Sequence, residues 1–160
     1  MATEELNFKL KLYATYWDKA PSCDILVGDQ QLWSGEIKGT KDKPNIIEFT
    51  VQLEEGKSHS LLLKRYGKDG KQCVVNDKGD ILKDQLLHIS EIEIDDINIG
   101  SLVYEGIYTP EYPEPWASQQ AKAGVELPKD FKNVKEMGHN GTWTFSFASP
   151  FYMWLLENLY

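Results

Sequence analysis

Cysteine and histidine are scarce in this sequence, and neither occurs in a pattern that suits chemistry. Cys23 and Cys73 lie far apart and belong to no Cys-x-x-Cys pair, so we expect two free thiols. His59, His88 and His139 lack the close spacing of metal ligands. The Gly-x-Ser-x-Gly nucleophile motif and the glycine-rich phosphate loops are also missing. The sequence therefore predicts no catalytic residue, no metal ligand and no cofactor.

Positive charge is also scarce, since 17 Lys and Arg face 25 Asp and Glu and the net charge is −8. Nucleic acid requires a basic patch, and the Lys and Arg here are dispersed. The same charge opposes adsorption to anionic membranes. No apolar run approaches the roughly 18–20 residues of a spanning helix, and residues 1–8 lack the basic and apolar regions of a signal peptide. We therefore expect neither nucleic acid nor membrane as a partner, and synthesis in the cytosol.

Apolar and polar residues alternate along much of the chain, which predicts strands with one solvated face. Turn signals such as Gly28-Asp29 and Asn140-Gly141 separate these segments. Seven to nine short strands predict an all-β fold, an antiparallel β-sandwich or jelly roll, built by one domain over residues 1–160. The predicted strand segments are 8–12, 23–37 (a hairpin), 47–53, 59–63, 86–108 and 141–147. A long surface loop is expected at 66–80 and a polar connector with one short helical turn at 118–140.

The C-terminal segment FYMWLLENLY predicts a short helix over residues 150–160. Ser149 before Pro150 is a typical N-cap and first helical residue. A helix that is apolar most of the way round must be covered. A sandwich of this size has limited surface for that, so we predict that a partner or a second copy of the chain covers part of it. The predicted assembly residues are Phe151, Trp154 and Leu155.

Aromatic residues are abundant, with five Trp and eight Tyr. In YTPEYPEPWAS, prolines favour an extended chain, and Tyr108, Tyr112 and Trp116 recur every four residues. Together with Trp17 and Trp33 near other loops, they are the predicted residues for binding a ligand or partner. Three interpretations stay open for the proline-rich stretch: a structural strap across an open end of the sandwich, a protein-docking site and a glycan platform.

Carboxylates cluster near residue 95, and two functional interpretations compete with a structural one. Glu91 and Glu93 share a strand face and could serve a glycosidase as acid and base. Asp95, Asp96 and Asn98 offer oxygen ligands for calcium, although their spacing does not match a helix–loop–helix calcium loop. We interpret them as a solvated strand face and a polar turn, with hydrolysis and calcium binding as the alternatives.

Two resemblances extend this interpretation. DILVGDQQLWSGEI, IIEFTVQLEEGKSHSLLLKR and LLHISEIEIDDINIGSL resemble the core of jelly-roll carbohydrate-binding modules. Some xylan-binding members use calcium in end loops, which makes Asp95 and Asp96 the positions to test for such a site.

YTPEYPEPWASQQ and GHNGTWTFSFASPFYMWLLENL resemble small structural proteins of tailed phages that infect marine cyanobacteria. That resemblance implies a virion accessory protein whose partners are other virion proteins or further copies of itself. We therefore expect a non-catalytic protein of recognition or assembly in the virion, docking through aromatic surfaces, with glycan as a further partner. The alternative function is a carbohydrate-binding module, with or without calcium.

Overall fold

Alternating burial along the long strands produces two antiparallel sheets that enclose one apolar interior. The computed structural model describes residues 2–69 and 71–159. Its strands are β1 (Thr3–Thr15), β2 (Ser22–Val27), β3 (Gln30–Glu36), β4 (Asn45–Glu54), β5 (Ser58–Tyr66), β6 (Val74–Val75), β7 (Ile81–Lys83), β8 (Leu86–Ile94), β9 (Ile97–Asn98), β10 (Ile107–Pro110), β11 (Phe131–Lys132), β12 (Glu136–Met137) and β13 (Gly141–Ala148). Its helices are a 3-10 helix (Gly100–Glu105), α1 (Trp116–Lys122) and α2 (Phe151–Leu159).

Sheet A has the order β12-β8-β1-β4, with β9 paired to β8, and sheet B has the order β11-β10-β13-β5-β2-β3. Residues of both sheets share one hydrophobic core, and Phe8 of β1 meets Phe147 of β13 with ring centroids 6.1 Å apart. The predicted antiparallel β-sandwich with a short C-terminal helix is confirmed. The predicted hairpin at 23–37 corresponds to β2 and β3, and the predicted loop at 66–80 contains β6 of a short ribbon with β7.

The start of α2 is held by the first strand rather than by its predicted N-cap. One oxygen of Glu4, Oε1, accepts hydrogen bonds from the backbone N–H of Phe151 (2.7 Å) and from the hydroxyl of Ser149 (2.5 Å). A carboxylate at this end satisfies a free N–H and stabilises the positive pole of the helix. Glu4 of β1 therefore caps the helix, and the Ser149 hydroxyl donates to the Glu4 carboxylate instead of accepting a helix N–H itself.

The inner side of α2 packs on the sandwich itself. Phe151 and Leu155 are buried, and Trp154 is half-buried with its ring edge-on to Phe145, at a centroid distance of 5.7 Å. Phe151 and Leu155 are covered by the domain's own interior and offer no surface to a partner, so the prediction that they serve assembly is corrected. For Trp154, which keeps part of its surface, it stays a prediction.

The proline-rich stretch is extended only at its beginning. β10 ends at Pro110, the chain turns at residues 114 and 115, and α1 begins at Trp116. The predicted straight strap over the whole stretch is therefore wrong. The connector predicted at 118–140 contains the rest of α1 together with β11 and β12, which add short edges to sheet B and sheet A.

Gly106 provides a test of how tightly the interior is packed. A Cβ atom added there would lie 2.3 Å from carbon atoms of the Trp143 indole, whereas its backbone (φ −66°, ψ 149°) suits any residue. We expect Gly106→Ala to lower the free energy of unfolding by about 1–3 kcal/mol, because overpacking a core costs that much. Urea unfolding measures the change. Gly138→Ala is the matched control, since its Cβ would meet Leu86 only at 3.6 Å, and equal losses in both variants would contradict the explanation.

Candidate functional site

A groove opens on the solvent side of sheet A, where β1, β8 and β12 run beside the 3-10 helix. Its volume is about 550 Å³, within the range of roughly 300–1,000 Å³ that is usual for small-molecule sites. A smaller cavity of about 290 Å³ continues it past Tyr104 toward Glu91 and Asn98. The lining of the groove includes Tyr13, Lys41, His88, Tyr104, Lys135 and Glu136.

The floor of the groove is a stacked ring pair. Tyr13 and His88 are opposite each other in the register of β1 and β8, and their rings are nearly parallel, 4.4 Å apart with an interplanar angle of 7°. Thr15 Oγ1 lies 2.9 Å from Nε2 of His88, and a carboxylate oxygen of Glu136 lies 3.9 Å from Nδ1. These contacts orient the imidazole and leave Tyr13 half-exposed to the groove.

The wall of the groove is Tyr104, which is 42% exposed on the 3-10 helix. The ammonium of Lys135 lies 5.3 Å from the centroid of its ring. Two backbone hydrogen bonds position this wall: Asn133 N–H donates to the carbonyl of Tyr104 (3.3 Å), and Ile89 N–H donates to the carbonyl of Lys135 (2.7 Å). The groove thus combines two tyrosine rings with polar and charged groups, the composition that suits a ligand with apolar faces and hydroxyl edges.

Two of the carboxylates considered for hydrolysis or calcium, those of Glu91 and Asp95, take part in contacts within the fold. Glu91 forms an ion pair with Lys11 (3.0 Å) and accepts a hydrogen bond from Asn98, and the hydrogen bond to Glu91 raises the pKa of Lys11. Asp95 Oδ1 accepts the backbone N–H of Asn7 at 2.8 Å. Asp95 and Asp96 have φ values of 51° and 64°, as a two-residue hairpin turn requires.

No group of three or more His, Cys, Asp or Glu residues in the described part of the chain could hold a metal ion. At the turn considered for calcium, one oxygen of the Asp95 carboxylate already accepts the N–H of Asn7.

Tyr108, one of the predicted binding residues, lies in the interior. Its ring is 3% exposed, its hydroxyl donates to the carbonyl of His139, and the N–H of His139 donates back to the same hydroxyl (2.9 Å). Burial raises the pKa of Tyr108 to about 12. The prediction that Tyr108 binds a ligand is corrected: in β10 it is opposite Trp143, and it joins the strand to the turn before β13.

Tyr112 and Trp116 form a separate cluster with His139. The Trp116 ring stacks on the imidazole at a centroid distance of 5.8 Å, and Tyr112 meets it edge-on at 5.1 Å. The hydroxyl of Tyr112 donates to the carbonyl of Pro128. Trp116 remains 37% exposed, so this cluster links the stretch after β10 to the loop before β11 and keeps one ring at the surface.

Trp17 and Trp33 are each held by local contacts. The indole N–H of Trp17 donates to the carbonyl of Gln72 (2.8 Å), and the ammonium of Lys83 lies 4.5 Å from its ring centroid. Trp33 is half-buried on β3 and covers Gly35. The five predicted binding residues therefore occupy different places, and none of them lines the groove.

The binding residues predicted from the sequence did not include Tyr13, Tyr104 or Lys135, and His88 was considered only as a metal ligand. A signal for Tyr13 was present: it continues the solvated side of β1 after Lys9 and Lys11, so the strand period places its ring outside. Tyr104 carries no such signal, because its position depends on the contact between the 3-10 helix and residue 133.

Comparison with known proteins shows the fold alone. No protein-family model matches the sequence, and no curated protein matches it significantly. Among solved structures, the chain is similar to the carbohydrate-binding module vCBM60, from a study of two circularly permuted families of calcium-dependent carbohydrate-binding modules. The TM-score is 0.50 at 7% sequence identity, over 88% of this chain and 89% of that one. None of the helices in residues 2–69 and 71–159 is long and apolar enough to cross a membrane.

The stability of the fold is predicted to depend on pH through two partly buried histidines, His88 in the groove and His139 outside it. Burial lowers the pKa of His88 from its ordinary value near 6.5, an effect that the carboxylate of Glu136 partly opposes. Burial also lowers the pKa of His139, with Lys68 and Arg65 adding to it. Because the folded protein favours neutral imidazoles, the unfolded chain binds more protons below about pH 6.5, and stability falls as the pH falls.

Urea unfolding between about pH 5.5 and 7.5 measures this slope. We expect His88→Asn and His139→Asn each to flatten it, relative to wild type. His59→Asn is the control, since His59 bonds to a backbone carbonyl of Glu54 away from the groove. An unchanged slope in both His88→Asn and His139→Asn would contradict the explanation.

Proposed function

We propose that this protein is a non-catalytic carbohydrate-binding module whose glycan lies in the groove of sheet A. The observation that carries the proposal is the pair of half-exposed tyrosine rings, Tyr13 and Tyr104, on a concave and otherwise polar surface. Sugar rings present C–H faces that pack on aromatic rings and hydroxyls that need polar partners. The similarity of the fold to a carbohydrate-binding module supports the proposal at the level of architecture.

The polar partners in the groove are Ser90 and Asn133, beside the two tyrosines. Their side chains have no hydrogen-bond partner among the residues that the structure describes, so they are available to sugar hydroxyls. A buried hydroxyl that finds such partners avoids the cost of desolvation. The similar module is described as calcium-dependent, whereas in this chain one oxygen of Asp95 accepts the N–H of Asn7 and Glu91 is paired with Lys11. We therefore propose binding without calcium.

The test is affinity electrophoresis and calorimetry on a panel of plant, algal and bacterial polysaccharides. Tyr104→Ala should weaken binding about tenfold, since losing one aromatic contact costs roughly 1.4 kcal/mol. Tyr13→Ala should weaken it as much, with some loss of stability because Tyr13 stacks on His88. Tyr152→Ala is the matched control, because Tyr152 is 51% exposed on α2. Added EDTA should leave affinity unchanged.

Two results would contradict this placement. If wild-type protein is retained by no polysaccharide, the function is wrong. If Tyr104→Ala binds normally while Trp116→Ala or Trp17→Ala does not, the site is at the aromatic residues proposed from the sequence. Trp116 and Trp17 also contact His139 and Gln72, so the unfolding midpoint of each variant is measured as well, and a loss of binding counts only in a variant that stays folded.

A second candidate function is assembly, which the outer side of α2 favours. Tyr152, Met153 and Leu156 are 51%, 61% and 62% exposed, beside residues of the same helix that are buried. A virion accessory role, proposed from the phage resemblance, would use this side instead of Phe151 and Leu155.

We expect Met153→Ser combined with Leu156→Ser to abolish any self-association of the wild type without unfolding it, as measured by sedimentation velocity and thermal melting. Lys122→Ser in α1 is the control on a polar surface. A wild type that is monomeric at all concentrations would contradict self-assembly through α2.

A further inference from the structure

The groove carries a different charge from the rest of the chain. The protein has a net charge of −8. The lining of the groove, in contrast, contains two lysines and one glutamate: Lys41, Lys135 and Glu136. An acidic protein that places cations in a cleft concentrates positive potential there, because the low-dielectric walls focus the field.

Neither lysine of the groove has an acidic partner within ion-pair distance in the described part of the chain. Some lysines elsewhere do, such as Lys68 at 2.6 Å from Asp84 and Lys11 at 3.0 Å from Glu91. Among the described residues, Lys41 and Lys135 form no ion pair, and Lys135 faces the ring of Tyr104 instead.

Among the described residues, Glu136 forms no ion pair with Lys41 or Lys135. Its carboxylate lies 3.9 Å from Nδ1 of His88, on the side of the Tyr13–His88 stack. Lys135 lies on the other side, over Tyr104. The groove therefore has an acidic contact near its floor and a free cation at its aromatic wall, where a sugar ring packed on Tyr104 would place a substituent within reach of the ammonium.

We propose that the groove selects a glycan with an anionic substituent, a carboxylate or a sulfate, which pairs with Lys135 and Lys41 while the sugar ring packs on Tyr104. This inference rests on the proposed carbohydrate-binding function and specifies its ligand. A lysine ammonium is a compact charge with three hydrogen-bond donors. It can therefore bind either the planar carboxylate of a uronic acid or the tetrahedral sulfate ester.

The experiment compares polygalacturonate with the same polymer after methyl esterification, which keeps the backbone and masks the charge. Sulfated and desulfated galactan form the second pair. Binding is measured by calorimetry at about 0.15 M salt, where long-range repulsion from the acidic protein is screened. We expect the charged member of at least one pair to bind about five- to tenfold more tightly, and the pair that shows the difference identifies the anion.

Variants assign that preference to the groove. Lys135→Gln with Lys41→Gln should remove the preference for the charged polymer, while Lys135→Arg alone should keep it. Lys122→Gln with Lys129→Gln is the matched control, since it removes the same charge from exposed positions outside the groove. Unchanged melting temperatures show that the variants are folded.

The outcomes separate the inference from the function on which it rests. Equal affinity for both members of each pair, or a preference that survives Lys135→Gln with Lys41→Gln, overturns the inference and leaves carbohydrate binding intact. Retention by no polysaccharide, charged or neutral, overturns both.

Discussion

The pairing of β1 between β4 and β8 determines both the interior and the groove. Leu6, Phe8, Leu10 and Leu12 point into the core, and the residues between them face solvent up to Tyr13. A shift of one residue in either pairing would exchange the two sets, because successive side chains of a strand point to opposite sides. The burial of four apolar side chains therefore holds Tyr13 in the register that places it against His88.

Six of the aromatic residues that the structure describes are buried in the interior and offer no binding surface. Trp143, Phe145 and Phe147 follow one another along the inner side of β13, with successive ring centroids 6.0 Å and 6.3 Å apart. Phe151 and Trp154 extend this column from α2. Rings of this size fill the space between sheets with few residues. Composition alone could not show which aromatic residues are buried, like these, and which are exposed, like Tyr104.

The sequence predicted what depends on local periodicity and missed what depends on distant contacts. Alternation in 47–53 and 141–147 led directly to β4 and β13, and Asp95-Asp96 to the turn between β8 and β9. Tyr108, Tyr112 and Trp116 recur every four residues, a spacing that would place them on one face of a continuous strand. They do not share a face, because β10 ends at Pro110. Tyr108 therefore follows its strand inward, while Tyr112 lies beyond the strand. The wall of the groove joins the 3-10 helix to residue 133, and no local pattern encodes that contact.

A sandwich can be shared at very low identity because it requires only an alternating pattern and suitable turns, which many sequences satisfy. A metal site transfers less easily, since it requires particular oxygen ligands converging on one point. In this chain a carboxylate oxygen of Asp95 is bonded to the N–H of Asn7, and the side chain of Glu91 is paired with Lys11 and Asn98. The proposed recognition of a ligand depends instead on groups without such contacts, and in the groove these include two tyrosine rings, two lysines and the side chains of Ser90 and Asn133. These contacts of Asp95 and Glu91 lie within the fold, and the proposed binding is therefore a direct contact between the groove and its ligand.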